Sequence, residues 1–287
     1  MGYSGRYHAA SLAAVFLALG IGLLIGAEFG DEVVSGTAGS LEKSLSGDLD
    51  EANARIDDLQ GELDREARFA QAVYPSLVGD TLPGRSLALV ALGNRPDEVR
   101  DDILDAIEPT GAKVTQVAVV REPPDEQGLR DIQTGKTSRS AKEQVELAAT
   151  RAGTALVDGR GFYEDSQETL LSSFSGKATP VDGVILVRDQ PESAAGDSET
   201  ENFEAAFIDG LVDGGVPVVG VERTDADPSS IEFFDAQELT TVDDIGLVAG
   251  GVALTYALRG AQGTFGTGEG AELVPTLLRR PGATTAP

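Results

Sequence analysis

The sequence predicts an α/β layered domain with a mostly parallel sheet, preceded by one transmembrane helix and a coiled-coil stalk. Residues 9–27 carry no charged side chain, and apolar residues between 45 and 63 recur at heptad spacing. From about residue 80 to 265, apolar segments of strand length alternate with amphipathic ones. The expected parts are an anchor (1–30), a stalk (31–74), an α/β domain (80–265) and a C-terminal tail (266–287).

The uncharged segment 9–27 (AASLAAVFLALGIGLLIGA) has the length of a membrane-spanning helix, because 19 residues at 1.5 Å per residue cover about 30 Å. Arg6 precedes the segment and Glu28 follows it. The positive-inside rule then predicts a cytoplasmic N-terminus, with the bulk of the chain outside the cytoplasm. The alternative is a cleaved signal peptide, but Ile25 occupies a position where its cleavage motif needs a small residue.

The segment after this anchor carries a coiled-coil pattern. Its apolar residues are separated by 4, 3, 4, 3 and 4 positions: Leu45, Leu49, Ala52, Ile56, Leu59 and Leu63. They fill the a and d positions of a heptad, which favours a parallel dimer, and a membrane anchor would raise the local concentration of a second copy. The alternative is an amphipathic helix that packs on its own domain.

A β-α-β unit is predicted after Pro83 and Gly84. Residues 86–92 (SLALVAL) and 113–120 (KVTQVAVV) are expected to be strands, of which the first is apolar enough to be buried on both faces. The helix between them is expected to be capped by Asn94. Two strands joined in this way pair in parallel through a right-handed crossover.

The remaining elements are predicted from the same alternation. Further buried strands are expected at 181–188 and 216–221, with an amphipathic helix at 201–212 between them and an apolar closing helix at 246–258. The segments 121–140 and 190–200 are predicted to be polar insertions, and 279–287 a disordered tail.

Composition excludes several classes of function. The net charge of −26 disfavours nucleic acid as a partner, and the absence of Cys excludes disulfides and thiolate sites. The only His, His8, precedes the predicted anchor, so the outer domain cannot assemble a Ser-His-Asp triad. Gly135-Lys136-Thr137 resembles the end of a phosphate-binding loop, but Arg130 stands where that motif needs Gly. We therefore expect no enzyme and no cofactor.

Two carboxylate pairs are weak candidates for a cation site. They are Asp243-Asp244 and Asp225-x-Asp227, and in a chain with 48 acidic residues such pairs also arise by chance. Their oxygen ligands suit calcium or magnesium better than copper. No catalytic or cofactor-binding residue is assigned, and the metal ligands are left unknown.

Three segments resemble a known family. Residues 7–22 (YHAASLAAVFLALGIG) are similar to the start of the actinobacterial copper transporter MctB family. Residues 241–245 (TVDDI) and 264–270 (TFGTGEG) resemble its C-terminal signatures, and the order of anchor, stalk and α/β domain also agrees. Glu269 departs from the family's tail motif, which carries His.

The resemblance implies a membrane-anchored cell-envelope protein with a role in copper efflux or homeostasis, and copper as the transported species. The expected partners are the lipid bilayer and further copies of the chain, as a homodimer or higher homo-oligomer. Met1 and His8 are the only side chains of the soft-donor type that copper(I) prefers. The alternative is a non-catalytic envelope scaffold or interaction protein, dimeric through its stalk.

Overall fold

The computed structural model describes residues 5–94, 96–131, 140–160, 167–190, 196–268 and 270–276. The chain divides into two compact units, Met1–Ala67 and Arg68–Pro287. The possible phosphate loop at 135–137 and the predicted tail at 279–287 lie outside the described residues.

The first unit is built from helix α1, which runs from Gly5 to Val78 and continues into the second unit. In the described part of the chain, no helix is both long and apolar enough to cross a membrane, so the predicted transmembrane helix is not confirmed. The large apolar residues of the heptad pattern, from Leu45 to Leu63, are half or more exposed in the single chain. The helical conformation of this segment is thus observed, whereas its pairing as a coiled coil stays a prediction.

The second unit contains a seven-stranded sheet in the order β3-β2-β1-β4-β5-β6-β7, parallel throughout except that β3 runs antiparallel to β2. Its strands are β1 (Ser86–Gly93), β2 (Lys113–Val120), β3 (Leu171–Gly176), β4 (Gly183–Asp189), β5 (Val218–Val221), β6 (Thr240–Val242) and β7 (Thr264–Phe265). The predicted α/β class with a mostly parallel sheet is therefore confirmed.

Helices cover both faces of this sheet. They are α2 (Asp97–Ile107), α3 (Glu126–Asp131), α4 (Ala141–Asp158), α5 (Ser198–Asp213), α6 (Ile231–Ala236) and α7 (Val248–Ala257), and a 3-10 turn (Glu108–Thr110) follows α2. Alternate residues of β1 point to opposite faces. Val90 packs in the core with α4, α5 and α6, whereas Leu89 packs in the core with α2 and α7. Burial on both faces explains why β1 is a continuous apolar run.

Helices α4 and α5 approach each other through glycine. A Cβ atom on Gly153 would overlap the carbonyl oxygen of Phe207, and one on Gly210 would overlap that of Thr150. The same approach lets the Thr154 hydroxyl donate to the carbonyl of Gly210 at 3.0 Å. Glycine is thus required here by backbone proximity rather than by φ.

The residues of α1 that belong to the second unit contact it through Tyr74. The Tyr74 hydroxyl donates to the carbonyl of Ala106 at 2.7 Å and lies against Gly251 of α7. Burial raises the pKa of Tyr74 to about 12, so the phenol stays neutral. Because Gly251 has no side chain, the tyrosine ring can reach the surface between α2 and α7.

Several sequence predictions need correction. Asn94 does not cap α2: Pro96 occupies the N-cap position and no side chain caps the helix. The insertion predicted at 121–140 contains α3, and the one at 190–200 contains the start of α5, which Asp197 caps by accepting from the amides of Glu199 and Thr200. Helix α3 is short and polar and has little apolar periodicity, so the pattern gave no signal for it. Helix α5 was predicted at 201–212, and it begins three residues earlier, after its cap at Asp197.

Candidate functional site

Asp243 is the centre of a polar cluster at the carboxyl ends of β5, β6 and β7. It follows β6 directly, and its carboxylate accepts hydrogen bonds from the backbone amides of Thr267 (2.9 Å) and Gly268 (2.8 Å). Its own amide donates to the carbonyl of Phe265. The two C-terminal segments that carry the family resemblance, 241–245 and 264–270, are thus in direct contact with each other.

The glycines of the second segment are explained by this contact. Gly266 has φ +138°, and a Cβ atom built there would overlap Asp243 Oδ1 outright. A Cβ atom on Gly268 would lie 2.6 Å from Asp243 Oδ2. Only glycine lets the backbone wrap this closely around a carboxylate, in the manner of an anion-binding backbone nest.

Asp244 and Glu222 lie beside Asp243. Asp244 Oδ1 accepts a short hydrogen bond from the hydroxyl of Thr224, whereas Asp244 Oδ2 is buried and has no hydrogen-bond partner. Glu222 follows β5 and accepts from the Ser229 hydroxyl (2.7 Å) and the Ser230 amide (2.6 Å). All three carboxyl groups belong to residues that are nine-tenths or more buried.

These groups line a cavity of about 330 Å³. Its wall also contains Asp235 and the hydroxyl groups of Thr224, Ser229, Thr264 and Thr267, and among the described residues that line it there is no Lys or Arg. Parallel strands collect polar groups at their carboxyl edge because the loops that follow them begin there. The result here is a concentration of negative charge.

Burial and neighbouring negative charges raise the pKa values of two carboxyl groups in this cluster, Glu222 and Asp243. The pKa of Glu222 is raised, first by burial and further by the charges of Asp243 and Asp244, although its two hydrogen bonds oppose the shift. The pKa of Asp243 is raised by burial and by Asp244, against the two backbone amides that stabilise its charged form. The charges of Asp243 and Asp244 thus make Glu222 harder to ionise, and the charge of Asp244 does the same to Asp243.

A second buried carboxyl pair lies at the carboxyl ends of β1, β2 and β4, where the strand order reverses. Glu204 is fully buried. Its carboxylate accepts hydrogen bonds from Nε and Nη2 of Arg188, both at 2.9 Å, and from Nε2 of Gln190 at 3.1 Å. Burial and the charge of Glu204 raise the pKa of Glu122 to about 9. A Glu122 that holds its proton can donate it to Glu204, which makes the pair compatible with burial.

The sequence-predicted site residues are only partly brought together. Asp243 and Asp244 line the cavity, whereas Asp225 and Asp227 are exposed and absent from its wall, with Asp225 3.4 Å from Arg223. The described residues include no group of three or more His, Cys, Asp or Glu side chains arranged to hold a metal ion. The Asp225-x-Asp227 pair is thus not part of the candidate site.

Sequence reasoning missed Glu222, Glu122 and Glu204. Glu222 comes directly after β5, and Glu122 follows β2 by two residues, so the carboxyl ends of the predicted strands gave a usable signal for both. Glu204 lies inside helix α5, where nothing in the sequence distinguishes it from other helical glutamates. Met1, His8 and Glu269, by contrast, are residues of whose side chains the structure gives no description.

The chain is an α/β protein with a helical extension. Its mostly parallel sheet has helices on both faces and acidic groups at the carboxyl edge, and one long N-terminal helix precedes the sheet in the chain. The family model for the copper transport outer membrane protein MctB matches residues 3–275, and the chain belongs to this family. The match includes both the helix and the α/β domain.

Curated relatives agree with this assignment. The chain is 26% identical over 323 aligned residues to the copper transporter MctB of Mycobacterium bovis (strain ATCC BAA-935 / AF2122/97). It has the same identity to the copper transporter MctB of Mycobacterium tuberculosis, strains CDC 1551 / Oshkosh and ATCC 25618 / H37Rv. Each alignment covers 93% of this chain and 96% of the relative, so the whole organisation of the relatives is represented.

Proposed function

We propose that this chain is a non-catalytic cell-envelope protein of the MctB type that acts in copper efflux and homeostasis. The observation that carries the proposal is the family match over residues 3–275. Support from the chain itself comes from the contact between Asp243 and the amides of Thr267 and Gly268, because it joins the two C-terminal segments that resemble the family. Copper is the proposed transported species.

The same proposal includes attachment to a membrane through residues 9–27, with the α/β domain outside the cytoplasm. This run is uncharged, with Arg6 before it and Glu28 after it. Between residues 10 and 26, nine large apolar side chains are 49–72% exposed in the single chain. Contiguous apolar surface of this kind indicates contact with lipid or with other apolar helices.

We further propose that the chain forms a homodimer through residues 45–63. Leu45, Leu49, Ile56, Leu59 and Leu63 are 50–64% exposed, and their heptad spacing places them on one face of α1. A helix with an unpaired leucine seam gains stability when a second copy buries that seam, at about 25 cal/mol for each Å² of apolar surface. This face also supports the second candidate function, a dimeric envelope scaffold without transport activity.

The copper proposal is tested in a strain from which the gene is deleted. Under copper load, we expect cell-associated copper to rise in the deletion strain and to return to the parental level when the gene is restored. Zinc and manganese measured in the same cells serve as controls and are expected to stay unchanged. Copper that does not respond to deletion would contradict the efflux role and favour the scaffold function.

The dimer is tested with a fragment of residues 31–287. Light scattering is expected to give a dimer for the parental fragment and a monomer for the double variant Leu49→Asp with Ile56→Asp, because charges at two a positions cannot be buried in the seam. The matched control is Ala54→Asp with Gly61→Asp, which adds the same charges at the same seven-residue spacing on the opposite face. A parental fragment that is monomeric would contradict dimerisation through residues 45–63.

A further inference from the structure

The cavity at the carboxyl ends of β5, β6 and β7 contains a buried acceptor without a donor. Asp244 is 1% exposed, and its Oδ2 atom has no hydrogen-bond partner, although Thr224 satisfies Oδ1. Buried polar atoms are nearly always partnered, since a buried unsatisfied group costs about 1–3 kcal/mol and a charged one costs more. Because Asp244 lines the cavity, a ligand in the cavity can supply the missing partner.

Such a ligand must be positively charged. Glu222, Asp243 and Asp244 line one cavity, and the described part of its wall offers no cationic side chain to balance their charges. The other polar groups of the wall are the carboxylate of Asp235 and hydroxyl groups, all of which offer oxygen atoms, and apolar residues such as Ile231 complete it. Oxygen donors alone favour cations of the magnesium and calcium type over copper(I), which prefers sulfur and nitrogen.

The size of the cavity indicates how such an ion would be held. The described carboxylates do not form a cluster that would chelate a bare ion. The volume of about 330 Å³, however, is about ten times the roughly 30 Å³ that a water molecule occupies in the liquid, so a hydrated ion fits. Magnesium commonly retains several of its waters and is bound through one or two carboxylates.

We propose that this cavity binds one hydrated divalent cation of the oxygen-preferring class, with Asp244 Oδ2 as its direct protein ligand and Glu222 and Asp243 in contact through water. The cation offsets two of the negative charges of these carboxylates and thereby stabilises the position of residues 266–268 against β6. This site is independent of copper transport, because its donors do not suit copper(I).

The experiment uses Mn²⁺ as the probe and the full chain in detergent, near neutral pH at an ionic strength of about 0.15 M, where exposed charges are screened beyond about 8 Å. Binding is followed by the loss of the electron paramagnetic resonance signal of free aqueous Mn²⁺. We expect one saturable equivalent, displaced by Mg²⁺ or Ca²⁺. Asp244→Asn is expected to weaken this binding about tenfold or more, because it removes the direct ligand.

The matched control is Asp213→Asn, which removes one acidic charge at an exposed position outside the cavity. It is expected to leave the Mn²⁺ titration unchanged. Thermal unfolding provides a second measurement of binding at this site, since a ligand that binds only the native state raises the melting temperature. Mn²⁺ is expected to raise it for the wild type and Asp213→Asn, but not for Asp244→Asn. If Asp244→Asn does not fold, Glu222→Gln takes its place and is expected to weaken binding as well.

Three outcomes would overturn the proposal. Superimposable Mn²⁺ titrations of the wild type and Asp244→Asn would show that the binding is diffuse attraction to an acidic protein. Absence of Mn²⁺ binding to the wild type would show that the cavity does not hold a divalent cation. Displacement of Mn²⁺ by one equivalent of copper(I) would show that the cavity belongs to the copper pathway. None of these results depends on whether deletion changes cellular copper, so the two proposals fail separately.

Discussion

Gly266→Ala is expected to lower the free energy of unfolding by roughly 4 kcal/mol, a large part of the stability of an ordinary domain. The new methyl group would occupy the position of Asp243 Oδ1, so the carboxylate has to leave the amides of Thr267 and Gly268. Each hydrogen bond to a charged group contributes about 1.5–3 kcal/mol. The φ of +138° adds strain, because residues with a Cβ rarely adopt it.

Urea unfolding of the full chain in detergent measures this effect, and Gly270→Ala is the matched control. Gly270 lies in the same loop and also has a positive φ, +85°, but a Cβ atom there meets no atom within 4 Å. The control is expected to lose only about 1 kcal/mol, the cost of the backbone conformation alone. Equal losses in the two variants would mean that the contact with Asp243 contributes nothing beyond backbone strain.

Glu122→Gln is expected to make the protein more stable at alkaline pH and to flatten its pH dependence. The pKa of Glu122 is raised from 4.5 to about 9, first by burial and then by Glu204. In the unfolded chain the carboxyl group ionises near pH 4.5, whereas in the native protein it holds its proton up to about pH 9. Between these values the native state binds more protons, so the stability of the wild type falls as the pH rises.

The limiting slope is about 1.4 kcal/mol per pH unit for one proton. We expect a smaller effect, about 2 kcal/mol in favour of the variant near pH 8, because part of Glu122 remains accessible to solvent. A glutamine amide at position 122 can donate to the Glu204 carboxylate at every pH, as protonated Glu122 does only below its pKa. Below pH 5 the two proteins are expected to have similar stability.

Denaturant unfolding at several pH values measures the difference between the variant and the wild type. Glu222 and Asp243 also have raised pKa values, so the variant keeps some pH dependence of the same sign as that of the wild type. Glu232→Gln, which removes an exposed carboxyl group, is the control and should follow the wild-type curve. Parallel curves for Glu122→Gln and the wild type would mean that Glu122 ionises normally.

The central strands of the sheet were predictable because their signal is local. Residues 86–92 and 113–120 are apolar runs of strand length, and they match β1 and β2 to within one residue. Strands β3 and β6 were not predicted. The first is the polar edge segment LSSFSG and the second has only three residues, so neither has the apolar content that identifies a buried strand.

The candidate site was predictable only in part. The pair Asp243-Asp244 was visible as adjacent acids, but so was Asp225-x-Asp227, and the sequence offered no reason to prefer one pair. The structure separates them by burial, because Asp243 and Asp244 follow β6, which is paired on both sides, whereas Asp225 and Asp227 lie on an exposed loop. Burial depends on what packs over a residue, which a single sequence does not state.

The class of fold, the uncharged run at 9–27 and the heptad pattern at 45–63 could be predicted from the sequence, since each depends on neighbours within a few turns or strand lengths. The three-dimensional structure was needed to show that Gly266 and Gly268 enclose Asp243, and that Glu122 meets Glu204 beside Arg188. These contacts join residues far apart in the chain, and they follow from the order of the strands. Hydrophobic periodicity identifies strands and helices, but it leaves the order of the strands open, because strands of similar burial can be exchanged without changing the pattern.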